Sequence, residues 1–337
     1  VTKQGTPKKV LDLRSQAAAT RRAADRVGGL THHLTLAAAA TLESVARSQL
    51  RKAQVDPVLE LASNASTAEI NEARRRRSVR RGQDVYLPSW REAAVGLPNL
   101  FLRSALFSVC SAREVLVDET IATQGDTVIT MTGVQLWNYD RRMFAACLNY
   151  YRDDRPLSSS AEHPWVKVSL WQLAQDLKVS YGANVHKAMR ESLIRLNAAH
   201  LRIRVKRQDV PMPRLIDVAF DDGYLGRDTP APLLRGSDTV AFRVLDSMAN
   251  LFGPSDWSAI SDTALHERSG LSSWLTGYYS THAGPFKLAV AALHQYSGSI
   301  CELREFRRRL KNALLALEGE DIPTDCRIAS PEISLLL

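Results

Sequence analysis

The chain has 337 residues, of which 45% are apolar and 24% charged, enough to bury a sizeable core in about two domains. No apolar run approaches the roughly 20 residues that a membrane-crossing helix needs. The opening segment lacks the order of charge, apolar core and cleavage site that marks a signal peptide, so the expectation is a cytoplasmic protein with no membrane contact. The net charge of +8 comes entirely from residues 1–84, with 16 Lys/Arg against 8 Asp/Glu, while the remainder balances at 28 against 28. A basic arm ahead of near-neutral domains suits a nucleic-acid partner, although a solvated basic tail has the same composition. The four cysteines, Cys110, Cys147, Cys301 and Cys326, show neither CxxC spacing nor a nearby paired-histidine motif. Reduced thiols are therefore expected, with no metal site, cofactor or disulfide framework.

Residues 1–82 are rich in Ala, Arg, Ser and Thr and nearly lack aromatics. Stretches such as Leu34–Leu50 favour helix but supply too few large side chains for an independent core. The run Arg74-Arg75-Arg76-Arg77, with Arg80-Arg81, repels itself until it meets an anion. Residues 1–96 are therefore expected to be a basic arm and linker, flexible or partly helical.

Order is predicted to begin near Leu97. Val128–Thr132 reads as a strand bounded by Gly125-Asp126 and Gly133. Asp140–Tyr151 places Met143, Phe144, Cys147, Leu148 and Tyr151 on one helical face. After the polar loop Asp153–His163 comes the short strand Val166–Val168. Ser169-Leu170-Trp171-Gln172 is a capping box opening a helix that holds Trp171, Leu173, Ala174 and Leu177. A turn at Lys178–Gly182 leads to a second helix, Asn184–Ala199, with Val185, Met189, Leu193 and Leu196 inward. Leu201–Arg207 alternates apolar and basic residues with period two. A loop carrying Pro211 and Pro213 then leads to the strand Leu215–Phe220. This is the element order of a winged helix-turn-helix domain, assigned to residues 97–236.

The order recurs over 237–337. Thr239–Val244 reads as a strand and Ser273–Thr281 as a helix. Phe286-Lys287 is a short extended piece, followed by the helix Leu288–Gln295, a turn at Tyr296–Ser299 and the longer helix Cys301–Leu317. Cys326–Ile328 and Glu332–Leu336, parted by Ser330-Pro331, form a second wing. The predicted fold class is α+β, with two tandem winged helix-turn-helix domains.

In such a domain the second helix lies in the major groove, so its outer face must donate to base edges and phosphates. On Asn184–Ala199 the face away from the core carries Asn184, Lys187, Arg190 and, further round, Arg195. Asn and Arg can pair with adenine and guanine, whereas Lys suits a phosphate. On Cys301–Leu317, Leu303, Phe306, Leu310, Leu314 and Leu317 form the inner face, and Arg304, Arg307, Arg308 and Lys311 project elsewhere. On the proposed wing strand, Arg202, Arg204, Lys206 and Arg207 read as backbone contacts. An ordinary solvated basic face is the plain alternative for each element taken alone.

Several segments in order, Arg103-Ser104-Ala105-Leu106-Phe107, Thr132-Gly133-Val134-Gln135-Leu136 and Leu173-Ala174-Gln175-Asp176-Leu177, make the chain resemble the TrfA family of plasmid replication initiators. Leu271–Ser280 and Pro285-Phe286-Lys287-Leu288 are similar to the family's second domain. The resemblance implies binding of direct repeats, or iterons, in double-stranded plasmid origin DNA, opening of an adjacent AT-rich segment with contact to its single strand, and a part in copy control. It also implies a homodimer that becomes monomeric to bind, and recruitment of the host initiator, replicative helicase and sliding clamp. Where the family carries a Gln-Leu-Ser-Leu-Phe type clamp peptide, this chain has Gln83-Asp84-Val85-Tyr86-Leu87, with the apolar residues shifted. The alternative for that stretch is a linker that anchors Tyr86 and Leu87 on the first domain.

No catalytic residue is assigned. Tyr150-Tyr151 and Tyr278-Tyr279 have the pattern of tyrosines that attach to DNA, but the His-apolar-His pair such enzymes need is missing and only His32-His33 are adjacent. There is no phosphate-binding Gly-x-x-x-x-Gly-Lys loop either. The competing non-enzymatic reading is a winged-helix transcriptional regulator or a partition or copy-control DNA-binding protein.

Overall fold

The computed structural model describes residues 8–24 and the single positions 38, 39, 42, 65, 69 and 73. It also describes 85–317, except 89, 92, 112–113, 153–154, 158–164, 206–207, 213, 253–255, 267–269 and 283–287, and the strands at 327–328 and 334–336. The chain divides into two compact units, 1–64 and 65–337. In the first, α1 (Lys8–Ala24) is a 17-residue helix with Arg21 and Arg22 in its last turn, where cations sit well against the helix dipole. The arginine run at 74–81 lies outside the described residues.

The second unit mixes helices and sheets, as expected. Its elements begin β1 (Ala94–Pro98), α2 (Asn99–Leu102), β2 (Phe107–Ser108), β3 (Val115–Ile121), β4 (Thr127–Val134), β5 (Leu136–Trp137) and α3 (Asn138–Asn149). Next come β6 (Val166–Ser169), α4 (Leu170–Asp176), α5 (Ala183–Ala198), β7 (His200–Val205), β8 (Gln208–Met212), β9 (Ile216–Asp221) and β10 (Thr239–Val244). The remainder is β11 (Trp257–Ser261), α6 (Asp262–Leu265), α7 (Gly270–Tyr279), β12 (Leu288–Ala289), α8 (Val290–Tyr296), α9 (Leu303–Leu317), β13 (Arg327–Ile328) and β14 (Ser334–Leu336). Among the described residues no helix is long and apolar enough to cross a membrane.

Two antiparallel sheets share one design. In the first, β10 lies between β6 and β9, with Val240 opposite both Val168 and Phe220. In the second, β14 lies between β12 and β13. Each time a strand, a short helix, a turn and a long helix precede the other two strands of the sheet, the last of which takes the centre; in the first, β7 and β8 of another sheet come between the long helix and β9. The turns agree as well. Both α4 and α8 have 7 residues, and each is followed by a left-handed residue, Lys178 at φ 55° and Gly298 at φ 64°. The amides of Lys178 and Val179 reach Gln175 O and Ala174 O, and those of Gly298 and Ser299 reach Gln295 O and His294 O. Such paired bonds satisfy the last carbonyls of a helix and redirect the chain. A lysine in that conformation costs roughly 1–2 kcal/mol that glycine avoids.

Two strands lie elsewhere than the sequence pattern suggests. Thr239–Val244, read as the opening strand of the second domain, is the centre of the first sheet, so a boundary at 236/237 parts β10 from both neighbours. Period two reveals which face of a strand is buried, not which strand it joins. The expected hairpin of Leu201–Arg207 with Leu215–Phe220 is also not formed. Instead β7 pairs with β4 and β8, Ile203 lying opposite Ile129 and Val210, while β9 pairs with β10. Gln208–Met212, read as a loop because of Pro211, is a strand on the edge of the sheet β3-β4-β7-β8, where a missing N–H is tolerated.

The main core centres on α3, whose Met143, Phe144, Cys147 and Leu148 are all buried, as is Tyr151 just beyond it. Phe144 meets Phe101 and Phe107 with ring centroids 6.1 Å apart in each pair. Each such side chain contributes about 1.5–3 kcal/mol by burial. A second cluster joins Trp274, Leu275, Tyr278, Leu293, Phe306 and Leu310 beneath α9. The capping box at α4 forms by half. Ser169 Oγ accepts from the Gln172 amide at 3.2 Å, but the Gln172 side chain donates to Asp176, and Trp171, expected inside, is 51% exposed.

Candidate nucleic-acid interface

Helix α5 follows the left-handed turn at Lys178 and buries His186, Met189, Ser192, Leu193 and Leu196. His186 is the residue that the apolar spacing missed. Its Nδ1 lies 2.9 Å from Tyr181 Oη and its Nε2 3.1 Å from Asp222 Oδ2. The same carboxylate accepts two bonds from Arg190 Nη1, both 2.9 Å. The Arg190 guanidinium is packed over the rings of Phe220, 3.9 Å from its centroid, and Tyr224, 4.5 Å away. Arg190 is therefore not on an open face, since its side chain is only 18% exposed. Helical phase alone cannot show that the loop after β9 covers this flank.

Arg195 is drawn inward too. Its Nε and Nη2 donate to Asp140, the closest bond being 2.8 Å, and Asp140 also accepts from Ser192 Oγ at 2.6 Å and the Trp137 amide at 3.1 Å. Burial pushes the Asp140 carboxyl up while Arg195 opposes the shift. This pair fastens α5 to the start of α3.

What remains on the outside of α5 is Asn184, which is exposed, and Lys187, which is half-buried. Lys187 Nζ donates to Arg227 O at 2.9 Å. Asp222 and Lys187 thus hold α5 against residues 222–238, the loop that joins β9 to β10. That loop is well built. Leu225 N donates to Thr229 Oγ1 at 2.8 Å, and a Cβ on Gly223 would come within 2.4 Å of Leu233 O, so only glycine fits there. Its tip exposes Leu225, 82% accessible.

Helix α9 separates its faces as the spacing predicts. Phe306, Leu310, Leu314 and Leu317 are buried, Leu303 is half-buried, and Arg304, Arg307, Arg308 and Lys311 are exposed. Arg308 and Arg309 both donate to Glu305, at 2.7–2.9 Å, and hold its carboxyl down at about 2. Arg304, Arg307 and Lys311 have no ion-pair partner among the described residues.

On β7, Leu201 and Ile203 are buried while Arg202 and Arg204 face solvent, paired with Asp118 at 2.9 Å and Asp209 at 2.8 Å. Lys206 and Arg207 lie outside the described residues, as do Gln83 and Asp84. Leu87 is buried in the main core, and Val85 O accepts from Leu157 N. Tyr151 is 1% exposed, its hydroxyl accepts from the Val244 amide, and burial pushes that hydroxyl up to about 12. Tyr278 Oη donates to Gln124 Oε1. Cys147 is buried, Cys110 and Cys301 are half-exposed, and Cys326 lies outside the described residues. Among the described residues no group of three His, Cys, Asp or Glu is placed to hold a metal ion.

A family model described as TrfA protein matches residues 82–218. Over that region the chain is similar to proteins of the TrfA family. These are plasmid replication initiators, and the matched TrfA region takes in α3, α4, α5 and the β7–β8 hairpin, ending within β9. The structure is also similar to a crystal structure of domain 2 and domain 3 of RctB, with TM-score 0.44 and 12% identity over 65% of this chain and 83% of that one. A second RctB structure of domains 2–3 gives TM-score 0.41 and 12% identity over 63% and 81%. No curated protein matches the chain.

Proposed function

We propose that the chain is a plasmid replication initiator that binds direct repeats at its origin through two winged helix-turn-helix domains. One observation carries this reading: the same strand order and helix-ending turn occur twice, each time leading into a long helix with an outer face. In such domains that helix enters the major groove. Here α5 would present Asn184 and Lys187, and α9 would present Arg304, Arg307, Arg308 and Lys311. The loop 222–238 would be the first wing, which extends the first domain through β10 and leaves the second to carry α7 to β14. Arg190 and Arg195 act behind the interface by fixing α5. Arg202 and Arg204 would reach phosphates only by exchanging Asp118 and Asp209 for them, a weaker role.

The match of residues 82–218 to the TrfA family supports the initiator reading. Opening of AT-rich DNA, the dimer-to-monomer change, copy control, and recruitment of the host initiator, helicase and sliding clamp enter the proposal through that kinship alone. The role is one of binding, with no covalent step and no cofactor, carried out in the bacterial cytoplasm. Nuclease footprinting on the cognate plasmid origin tests it. A ladder of protected direct repeats is expected, whereas a single protected palindrome at a promoter would place the chain among transcriptional regulators.

A further inference from the structure

The loop 222–238 carries an apolar surface to which the proposed docking gives no role. Leu225 at its tip is 82% accessible, the highest value of any large apolar side chain among the described residues. A single exposed leucine is ordinary, but this one does not stand alone. Pro230, Ala231, Pro232 and Leu233 are exposed as well, and the close approach of Gly223 to Leu233 O lays the two arms of the loop together. The tip is also stiff. Leu225 N donates to Thr229 Oγ1 at 2.8 Å, while Thr229 donates to Gly226 O from Oγ1 at 2.5 Å and from its amide at 3.1 Å, around a Gly226 held at φ 134°. Charge gives this loop little hold on phosphates. Arg227 and Arg235 are offset by Asp228 and Asp238, and Asp222 is spent on Arg190 and His186. Yet the tip is fastened to α5 on both sides of Leu225, at Asp222 by Arg190 and at Arg227 O by Lys187. Any DNA that meets the outer face of α5 therefore meets a rigid, apolar, nearly uncharged tip.

We propose that Leu225 enters the minor groove beside the major groove occupied by α5 and wedges apart one base-pair step of the repeat. Across the phosphate backbone from a major groove lies a minor groove, and leucine is among the apolar side chains that part stacked bases there. Parting a step costs stacking energy that depends on sequence, least at the flexible pyrimidine–purine steps TA and CA. The leucine thus selects a step with which it forms no hydrogen bond, in addition to the base edges read from α5. The inference rests on the proposed function, to which it adds a second way of reading the repeat. An apolar pocket on a second copy of the chain is the competing occupant.

The test uses the full chain and a duplex origin repeat in which 2-aminopurine, whose fluorescence rises when it loses its stacking, replaces adenine at one position after another. The wild type should raise the fluorescence at one step beside the bases contacted by α5. Leu225→Ala should abolish that rise and weaken binding of the repeat roughly 5- to 100-fold. Leu225→Met, which keeps an apolar wedge, should restore both. Changing that step to AA, which is stiffer, should weaken the wild type and leave the alanine variant nearly unaffected. The slope of log affinity against log salt should stay the same in both variants, because no phosphate contact is removed. Since Leu225 is exposed, the urea midpoint should not move, which separates the effect from one on folding. No fluorescence rise with the wild type, or an alanine variant with wild-type affinity and step preference, overturns the inference while the proposed function stands. A variant that binds the repeat normally but shifts from dimer to monomer in sedimentation gives the tip to a second copy and overturns it too. A wild type that does not bind the duplex repeat removes both.

Discussion

On α5 the arginines turn back into the protein, Arg190 to Asp222 and Arg195 to Asp140, whereas on α9 Arg304, Arg307 and Lys311 stand in solvent with no ion-pair partner among the described residues. The two helices follow the same turn and belong to the same kind of sheet, so topology alone does not dictate this difference. It follows from what lies beside each helix. A buried carboxylate flanks α5 on each side, and desolvated ion pairs of that kind fix a helix in place more than they attract a ligand. α9 has Glu305 alone, on its own first turn, and keeps a surplus of positive charge. The polar groups of α5 are therefore fixed in place, while α9 presents an exposed positive face.

The largest effect should come from breaking the placement device. Asp222→Ala leaves Arg190 and His186 without their shared acceptor and should cost about 3–5 kcal/mol in a urea unfolding titration. Asp222→Asn, which keeps an acceptor, should recover part of the loss. An unchanged midpoint for the alanine variant would mean that the loop 222–238 is not held to α5 in this way.

Next in size is base reading by α5. Asn184→Ala should lose about 1–3 kcal/mol at particular positions of the repeat and relax preference there, when binding is measured against a panel of single-base variants. Arg190→Ala, acting through the position of α5, should weaken all of those variants alike. The reverse pattern would make Arg190 the reader after all and erase the contrast between the helices.

Binding through α9 should respond chiefly to salt. With several phosphates neutralised, affinity should fall steeply with ionic strength, and each of Arg304→Ala, Arg307→Ala and Lys311→Ala should lower the slope of log affinity against log salt by about one unit. Sequence preference should survive. Arg308→Ala is the informative exception, because its guanidinium is exposed yet paired with Glu305: loss of preference at one base would make it a reader.

The smallest effect is on stability against pH. Burial holds His266 and His282 below the ordinary histidine value of 6.5. A group with a depressed folded pKa contributes stability above its unfolded pKa and loses it as pH falls towards the folded one. The protein should thus unfold at lower urea at about pH 5.5 than at about pH 7.5, and changing both histidines to glutamine should flatten that difference.

How much of this was legible in the sequence depends on whether a feature is local. The helix read at Asp140–Tyr151 and found at Asn138–Asn149, the inner face of α9 and the two turns follow from spacing and from the conformational habits of short segments. The partner of a strand is not local. Nothing in Leu215–Phe220 says that it pairs with Thr239–Val244 across a loop rather than with Leu201–Val205, so the pairing of both strands differs from the expected one. Side-chain exposure shows the same limit. The outward placement of Asn184 and of the basic residues of α9 could be read from helical phase, but Arg190 and Arg195 have the same phase signal and turn inward. Asp222, which decides the first of them, lies 32 residues away in the chain.

The central claim is that both long helices enter major grooves of one repeat, and methylation interference at guanine N7 tests it most directly, because that atom faces the major groove. On a single origin repeat the account expects two clusters of interfering guanines about one helical turn apart, roughly 10–10.5 base pairs. The combined Arg304, Arg307 and Lys311 alanine variant should weaken one cluster and spare the other. A single cluster, or two that respond equally to that variant, would contradict it.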